Sequence, residues 1–189
     1  MTSPPAHFAD RRAAGRLLGA RLLRLALRNP AVIALSPGGI HVGFEVARAL
    51  DGELGLIAIP EDGPDRRLPR ISSLEILRRA VVLVDDGTTA VATILATIAA
   101  LDREGAASVV LAIPVLPGDA VPALESSCDE VVCLVGISNG ERVEDQYHEF
   151  HDVSRSEAIH LLHDARDPHS PPAPPLDVSI APDGAIEAD

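Results

Sequence analysis

The chain contains no lysine: all 16 of its basic residues are arginine. That excludes any mechanism built on a Schiff-base lysine, a P-loop lysine or the phosphate-binding lysine of a kinase. Tryptophan is absent, and the aromatics amount to Tyr147 and three phenylalanines, Phe8, Phe44 and Phe150. The core must therefore be assembled from Leu, Val, Ile and Ala. Two cysteines, Cys128 and Cys133, are too few for a disulfide framework and lack the spacing of a zinc site. They read as small buried hydrophobes in a reducing compartment. No apolar run reaches the ~18–20 residues that cross a bilayer. The opening MTSPPAHFADRR also lacks the basic-then-apolar order of a signal peptide. A cytoplasmic protein with no membrane partner is the expectation. Positive charge is scarce, with 28 acidic residues leaving a net charge of −12. Such a field repels phosphate backbones, so a nucleic-acid partner is not expected.

What remains is 189 residues, 47% hydrophobic and 23% charged, which suits one full-sized domain. Residues 1–8 read as a flexible arm, 9–166 as the domain, and 167–189 as a disordered acidic tail with six Pro, five acids and no Arg. Asp10 is placed to cap a helix over RRAAGRLLGARLLRLALR, which Asn29-Pro30 stops. Six Arg and one acid fall before residue 31. Their simplest role is to face solvent and pair with the acidic remainder of the same fold. Beyond Pro30, strand-like runs (31–35, 54–60, 81–86, 108–116 and 130–137) alternate with helical stretches (41–50, 89–105 and part of 143–166). The segment 118–127 reads as helix or turn. Strand and helix alternating at ~25-residue spacing implies right-handed crossovers. The expected architecture is α/β, a mostly parallel central sheet with helices on both faces.

In open parallel sheets, ligands sit beyond the carboxyl ends of the strands, where helix N-termini present backbone donors. Two junctions are equipped for this: Ser36-Pro37-Gly38-Gly39 after AVIAL, and Asp85-Asp86-Gly87-Thr88-Thr89-Ala90-Val91-Ala92-Thr93 after VVLV. Paired carboxylates can hold the vicinal hydroxyls of a ribose, directly or through a divalent cation. A Gly/Thr/Ala loop opening a helix offers amides and hydroxyls to a phosphate. Ribose 5-phosphate carries both features. The alternative is an acidic strand end capping the following helix, with Thr88 or Thr89 as N-cap. His148/His151 and His160/His163 are spaced to meet on a helix face, but their polar, helix-terminal setting favours exposed histidines over a zinc site. Tyr147 and Phe150, at helical spacing, read as packing.

VVLVDDGTTAVAT at 81–93 resembles the phosphoribosyl-diphosphate signature of type I phosphoribosyltransferases. FADRRAAGRLLGARL, ALSPGGIHVGFEVARAL, VVLAIPVLPGDAVPAL and EVVCLVGISNGERVEDQYHEFHDVSRSEAIHLL extend the resemblance, to a bacterial branch of that family, over about residues 7–163. The resemblance implies that Asp85 and Asp86 contact the ribose hydroxyls and that the loop from Gly87 to Thr93 binds the 5-phosphate, with Thr89 and Thr93 supplying hydroxyls. It further implies pyrophosphate with magnesium at Ser36 to Gly39, a flap over about 60–79, a base-binding hood and a homodimer. The implied activity is displacement of pyrophosphate from phosphoribosyl diphosphate by a nitrogen nucleophile. Several positions depart from the family pattern. Val91 stands where the phosphate loop usually has Gly, and Ser36-Pro37-Gly38-Gly39 where the branch has Pro-Arg-Gly-Gly. Pro60-Glu61-Asp62 replaces a basic pair, for which Arg66, Arg67, Arg70, Arg78 and Arg79 are the candidate substitutes. These departures raise a second expectation: a catalytically degenerate nucleotide or sugar-phosphate sensor, or an oligomeric scaffold.

Overall fold

The computed structural model describes residues 7–58, 70–71, 74–138, 140–165, 179–180 and 186–187. The arm over 1–6, most of the flap segment and most of the tail lie outside them. Helix α1 (Arg11–Leu22) opens the domain, and Asp10 caps it by accepting the Ala13 amide at 2.6 Å. The helix ends earlier than its Leu/Ala pattern predicts. After one 3-10 turn the chain turns left-handed at Ala26 (φ 49°), and Leu25 and Leu27 fold back onto the core.

Strand β1 (Ala31–Ala34), α2 (Gly39–Leu50), β2 (Glu53–Ala58), β3 (Arg70–Ile71), β4 (Ala80–Val84), α3 (Val91–Arg103), β5 (Ser108–Pro117), α4 (Val121–Glu125), β6 (Glu130–Ile137) and α5 (Arg155–Ala165) follow. The sheet order is β3-β2-β1-β4-β5-β6, parallel except for the β2–β3 pair. Alternate strand residues go to opposite faces. Val32, Ala34, Val82 and Val84 pack under α1, α2 and α5, while Ile33, Val81, Leu83 and Leu111 pack under α3 and α4. In the tail, Ser179–Ile180 and Ile186–Glu187 form a short antiparallel pair where disorder is expected from composition.

Strand order reverses between β1 and β4. This is the switch point at which open α/β sheets leave a crevice. Ala34 and Val84 are register partners, so the Ser36 turn and the Asp85-Asp86 end emerge side by side. Arg79, a candidate flap arginine, lies at the other end of the sheet. It is bonded to the Asn29 carbonyl before β1 and paired with Glu53, the first residue of β2, and so cannot serve the crevice.

Helices α1 and α2 meet closely because Gly15 has no side chain. A Cβ there would lie 2.7 Å from the Val42 carbonyl oxygen and 3.0 Å from its Cα. Backbone cannot yield as a side-chain tip can. Gly15→Val is expected to cost about 2–3 kcal/mol, measured as a lower urea midpoint with unchanged slope.

Candidate functional site at the β1–β4 crevice

Asp85 and Asp86 follow directly on β4 and are 0% and 1% exposed. A buried carboxylate needs donors, and each of these has them. Asp85 Oδ1 accepts from Ser36 Oγ at 2.6 Å and Thr89 Oγ1 at 2.8 Å. Its Oδ2 accepts from the amides of Gly87 at 3.0 Å and Thr89 at 2.9 Å. Asp86 Oδ1 accepts from the Thr88 amide at 3.1 Å and Thr88 Oγ1 at 2.6 Å. Its Oδ2 pairs with Arg11 Nε at 2.8 Å. The acid pair thus shapes its own loop. It does not cap α3 through a threonine: the N-cap is Ala90, and no side chain bonds there.

Burial and the neighbouring Asp86 charge push the Asp85 carboxyl up to about 6, against the hydrogen bonds from Ser36 and Thr89 that lower it. Gly87 turns the chain out of the strand at φ +105°, in the left-handed region that favours glycine, with the Val115 carbonyl oxygen 2.6 Å from where a Cβ would sit. Gly38 is required for a different reason: a Cβ on it would overlap the Asp86 carboxylate. The Ser36 turn, predicted as a pyrophosphate loop, is therefore packed against the acids. Ser36 Oγ donates to Asp85 and accepts the Gly39 amide at 3.0 Å.

Beyond the acids, Thr88, Ala90 and Ala92 are exposed, while Thr89, Val91 and Thr93 are half-buried. Val91 is the first residue of α3, has no positive φ, and packs its side chain against the α3 core. The position does not demand glycine, so the departure from the family pattern at Val91 leaves the loop backbone unstrained. The amides of Val91 and Ala92 fall before the first intrahelical acceptor. With no side-chain cap, they and the positive end of the helix dipole are free to meet an anion.

Three residues of this site were not singled out for it by the sequence. Arg11 donates Nη1 to the His151 carbonyl at 2.8 Å and lies 3.7 Å from the centre of the Phe150 ring. Tyr147 donates its hydroxyl to the Asp86 carbonyl at 2.8 Å, and burial raises its pKa. The segment carrying Tyr147 and Phe150 is not helical. It pairs by backbone hydrogen bonds with residues 8–9, His148 N to Phe8 O at 2.8 Å and Glu149 N to Ala9 O at 2.9 Å. Cys128 and Cys133 are half-buried with thiols raised by burial, as packing residues should be.

Magnesium, implied by the resemblance, would need free carboxylate oxygens. An ionised carboxylate offers about four acceptor positions. Asp85 already accepts four hydrogen bonds and Asp86 three, one of them from a guanidinium. As folded, this donor set does not fit a divalent cation. Among the described residues there is also no group of three or more His, Cys, Asp or Glu that could hold one, nor any helix long and apolar enough to cross a membrane.

The strand order, the acid pair at the switch point and the Gly/Thr loop opening α3 define a type I phosphoribosyltransferase-like protein. Its relatives agree. The chain is 30% identical, over 82% of its length, to "Putative phosphoribosyl transferase Rv0571c" of Mycobacterium tuberculosis H37Rv, and it spans 46% of that relative. The same values hold for MT0597 of strain CDC 1551. The crystal structure of TT1426 from Thermus thermophilus matches at TM-score 0.71 and 28% identity, covering 82% of this chain and 97% of that one. A Neisseria gonorrhoeae protein with bound ppGpp shares the fold at TM-score 0.51 and 12% identity, covering 88% of this chain and 99% of that one. No protein-family model matches the chain.

Proposed function

We propose that the chain binds a ribose 5-phosphate moiety, as a free sugar phosphate or a nucleoside monophosphate, with the phosphate on the loop from Gly87 to Thr93. The observation that carries this reading is the uncapped start of α3 directly after the Gly-Thr-Thr turn. Amides and a helix dipole suit a phosphomonoester without a lysine. The largely satisfied acid pair and the closed Ser36 turn support a binding role, nucleotide or sugar-phosphate sensing, over turnover of phosphoribosyl diphosphate. A diphosphate beside two carboxylates needs compensating cations, and Arg11 is already engaged.

Phosphoribosyl transfer to a nitrogen nucleophile is the second reading, favoured by the names of the Mycobacterium tuberculosis relatives. It requires Asp85 and Asp86 to exchange loop donors for ribose hydroxyls. A homodimer is the assembly either reading inherits from the family, and light scattering measures it.

Calorimetric titration separates the readings. Ribose 5-phosphate, AMP, ppGpp and phosphoribosyl diphosphate are compared on the chain and on Val91→Pro. Ala90, at φ −59° and ψ 136°, already holds the backbone that precedes a proline. The substitution thus deletes one first-turn amide while α3 is retained. Ribose 5-phosphate and AMP are expected to bind, about ten-fold more weakly to Val91→Pro, the loss of one charge-assisted hydrogen bond. Equal affinity in the variant overturns the phosphate placement. Phosphoribosyl diphosphate binding far more tightly than the monophosphates, and losing that advantage in Asp85→Asn/Asp86→Asn, establishes transfer chemistry instead.

A further inference from the structure

We infer that Arg11 occupies the place of a divalent cation at the acid pair, so that this site engages its ligand without magnesium. The inference builds on the proposed sugar-phosphate site but concerns the charge that the fold itself supplies there.

Two adjacent carboxylates buried together repel each other and require a positive partner. In this chain that partner comes from the first residue of α1, 75 positions away in sequence, and the Arg11 and Asp86 side chains are 7% and 2% exposed. A guanidinium is delocalised and weakly hydrated, which makes it the basic group best suited to a buried pair. Arg11 is also held from three directions: Asp86 Oδ2 on Nε, the His151 carbonyl on Nη1, and the Phe150 ring against its face. Swinging aside to admit a metal would forfeit all three contacts at once.

Space points the same way. Magnesium sits about 2.0–2.1 Å from its oxygens and keeps several waters. Gly38 packs so closely here that a Cβ on it would lie 3.1 Å from Arg11 Nε. The Tyr147 hydroxyl closes the next position, on the Asp86 carbonyl. Nor can Asp85 serve as a ligand without giving up Ser36, Gly87 or Thr89. The acid pair, the turn at Ser36 and the 147–151 segment therefore form one closed unit, in which Arg11 offsets the charge of Asp86. The open face of the site is the α3 start, which needs no metal to bind a phosphomonoester.

The test uses Mn2+ as a paramagnetic stand-in for Mg2+, with the full chain and no organic ligand. Uptake is read by electron paramagnetic resonance against Asp86→Asn, which subtracts weak binding to the acidic surface. The chain and Asp86→Asn are expected to take up the same Mn2+ up to millimolar concentration. Arg11→Gln, whose amide is uncharged, is expected to gain a site at least ten-fold tighter, and Arg11→Gln/Asp86→Asn to lose it. Mn2+ uptake by the unmodified chain that Asp86→Asn abolishes overturns the inference, and that comparison needs no Arg11 variant to fold. No gain of metal by folded Arg11→Gln overturns it as well. Ribose 5-phosphate affinity in EDTA is expected to stay within two-fold of that in magnesium. A greater than ten-fold gain with magnesium counts against Arg11 as the cation, whereas absence of ribose 5-phosphate binding in both buffers refutes the proposed ligand and leaves the Mn2+ result to decide this inference.

Discussion

Arg11→Ala is expected to lower the folding free energy by about 3–5 kcal/mol, the range for removing one partner of a buried ion pair. The size comes from what is left behind. Asp86 would keep its negative charge beside Asp85 at a position 1% exposed to solvent, with only the Thr88 amide and hydroxyl as donors. The Phe150 ring and the His151 carbonyl would lose their shared partner, loosening the 147–151 segment over the crevice. Arg24 on the turn after α1 is the control. It pairs with Glu130, but the two side chains are 58% and 37% exposed, so solvent screens the pair and Arg24→Ala should cost under about 1 kcal/mol. Urea unfolding at one pH measures both. Adding Asp86→Asn to Arg11→Ala should recover part of the loss, because the stranded charge goes with it. Equal, small losses for Arg11→Ala and Arg24→Ala would mean that the Arg11 pair is solvated, and the account of the closed crevice would fall with it.

The architecture was legible because the central strands β1, β4 and β5 are apolar runs covered on both faces. VVLV at 81–84 and VVLAI at 109–113 cannot be read as half-exposed strands, and both lie in the sheet interior. The position of the site was legible for the same reason, since a switch point follows from strand order. What the carboxylates do there was not. Asp-Asp-Gly-Thr-Thr suits a ligand or its own loop equally well, and donor geometry decides between them.

Charge pattern alone groups Arg11 with the solvent-facing arginines of its helix. Yet the buried positions of α1 are 11, 14, 15, 18, 19 and 22, one unbroken stripe at helical spacing. An arginine at the head of an apolar stripe demands a buried acid, and that signal is present in the sequence. Arg12 lies on the adjacent face and instead meets Glu45 of α2 at 2.7 Å. Tyr147 and Phe150 pack as read, in the irregular stretch that precedes α5. Their spacing suggests a helix, but the chain there is committed to backbone pairing with residues 8–9, a contact from the far end of the sequence that no local pattern encodes.

Asp85 carries the second large effect, and its size depends on the replacement. Asp85→Ala strands four donors at once, the hydroxyls of Ser36 and Thr89 and the amides of Gly87 and Thr89, and should cost about 3–5 kcal/mol. Asp85→Asn should cost about 1 kcal/mol or less at neutral pH. The asparagine carbonyl can accept the two amides, and its NH2 can donate to hydroxyls that rotate to accept. The pH dependence discriminates further. The carboxyl titrates at 3.8 in its ordinary state and is pushed up to about 6 in the fold. The folded chain therefore holds this proton more tightly than the unfolded one. Stability from this group is fully present below about pH 4 and is lost as pH rises through 6. Asparagine has no such proton. The stability of the chain minus that of Asp85→Asn should then fall between pH 4 and pH 7, with the titrating groups remote from Asp85 cancelling in the difference. A difference that rises with pH would show that the four donors outweigh burial and the Asp86 charge. Asp85 would then be a carboxylate held in readiness for a ligand, and the transfer reading would regain its acid.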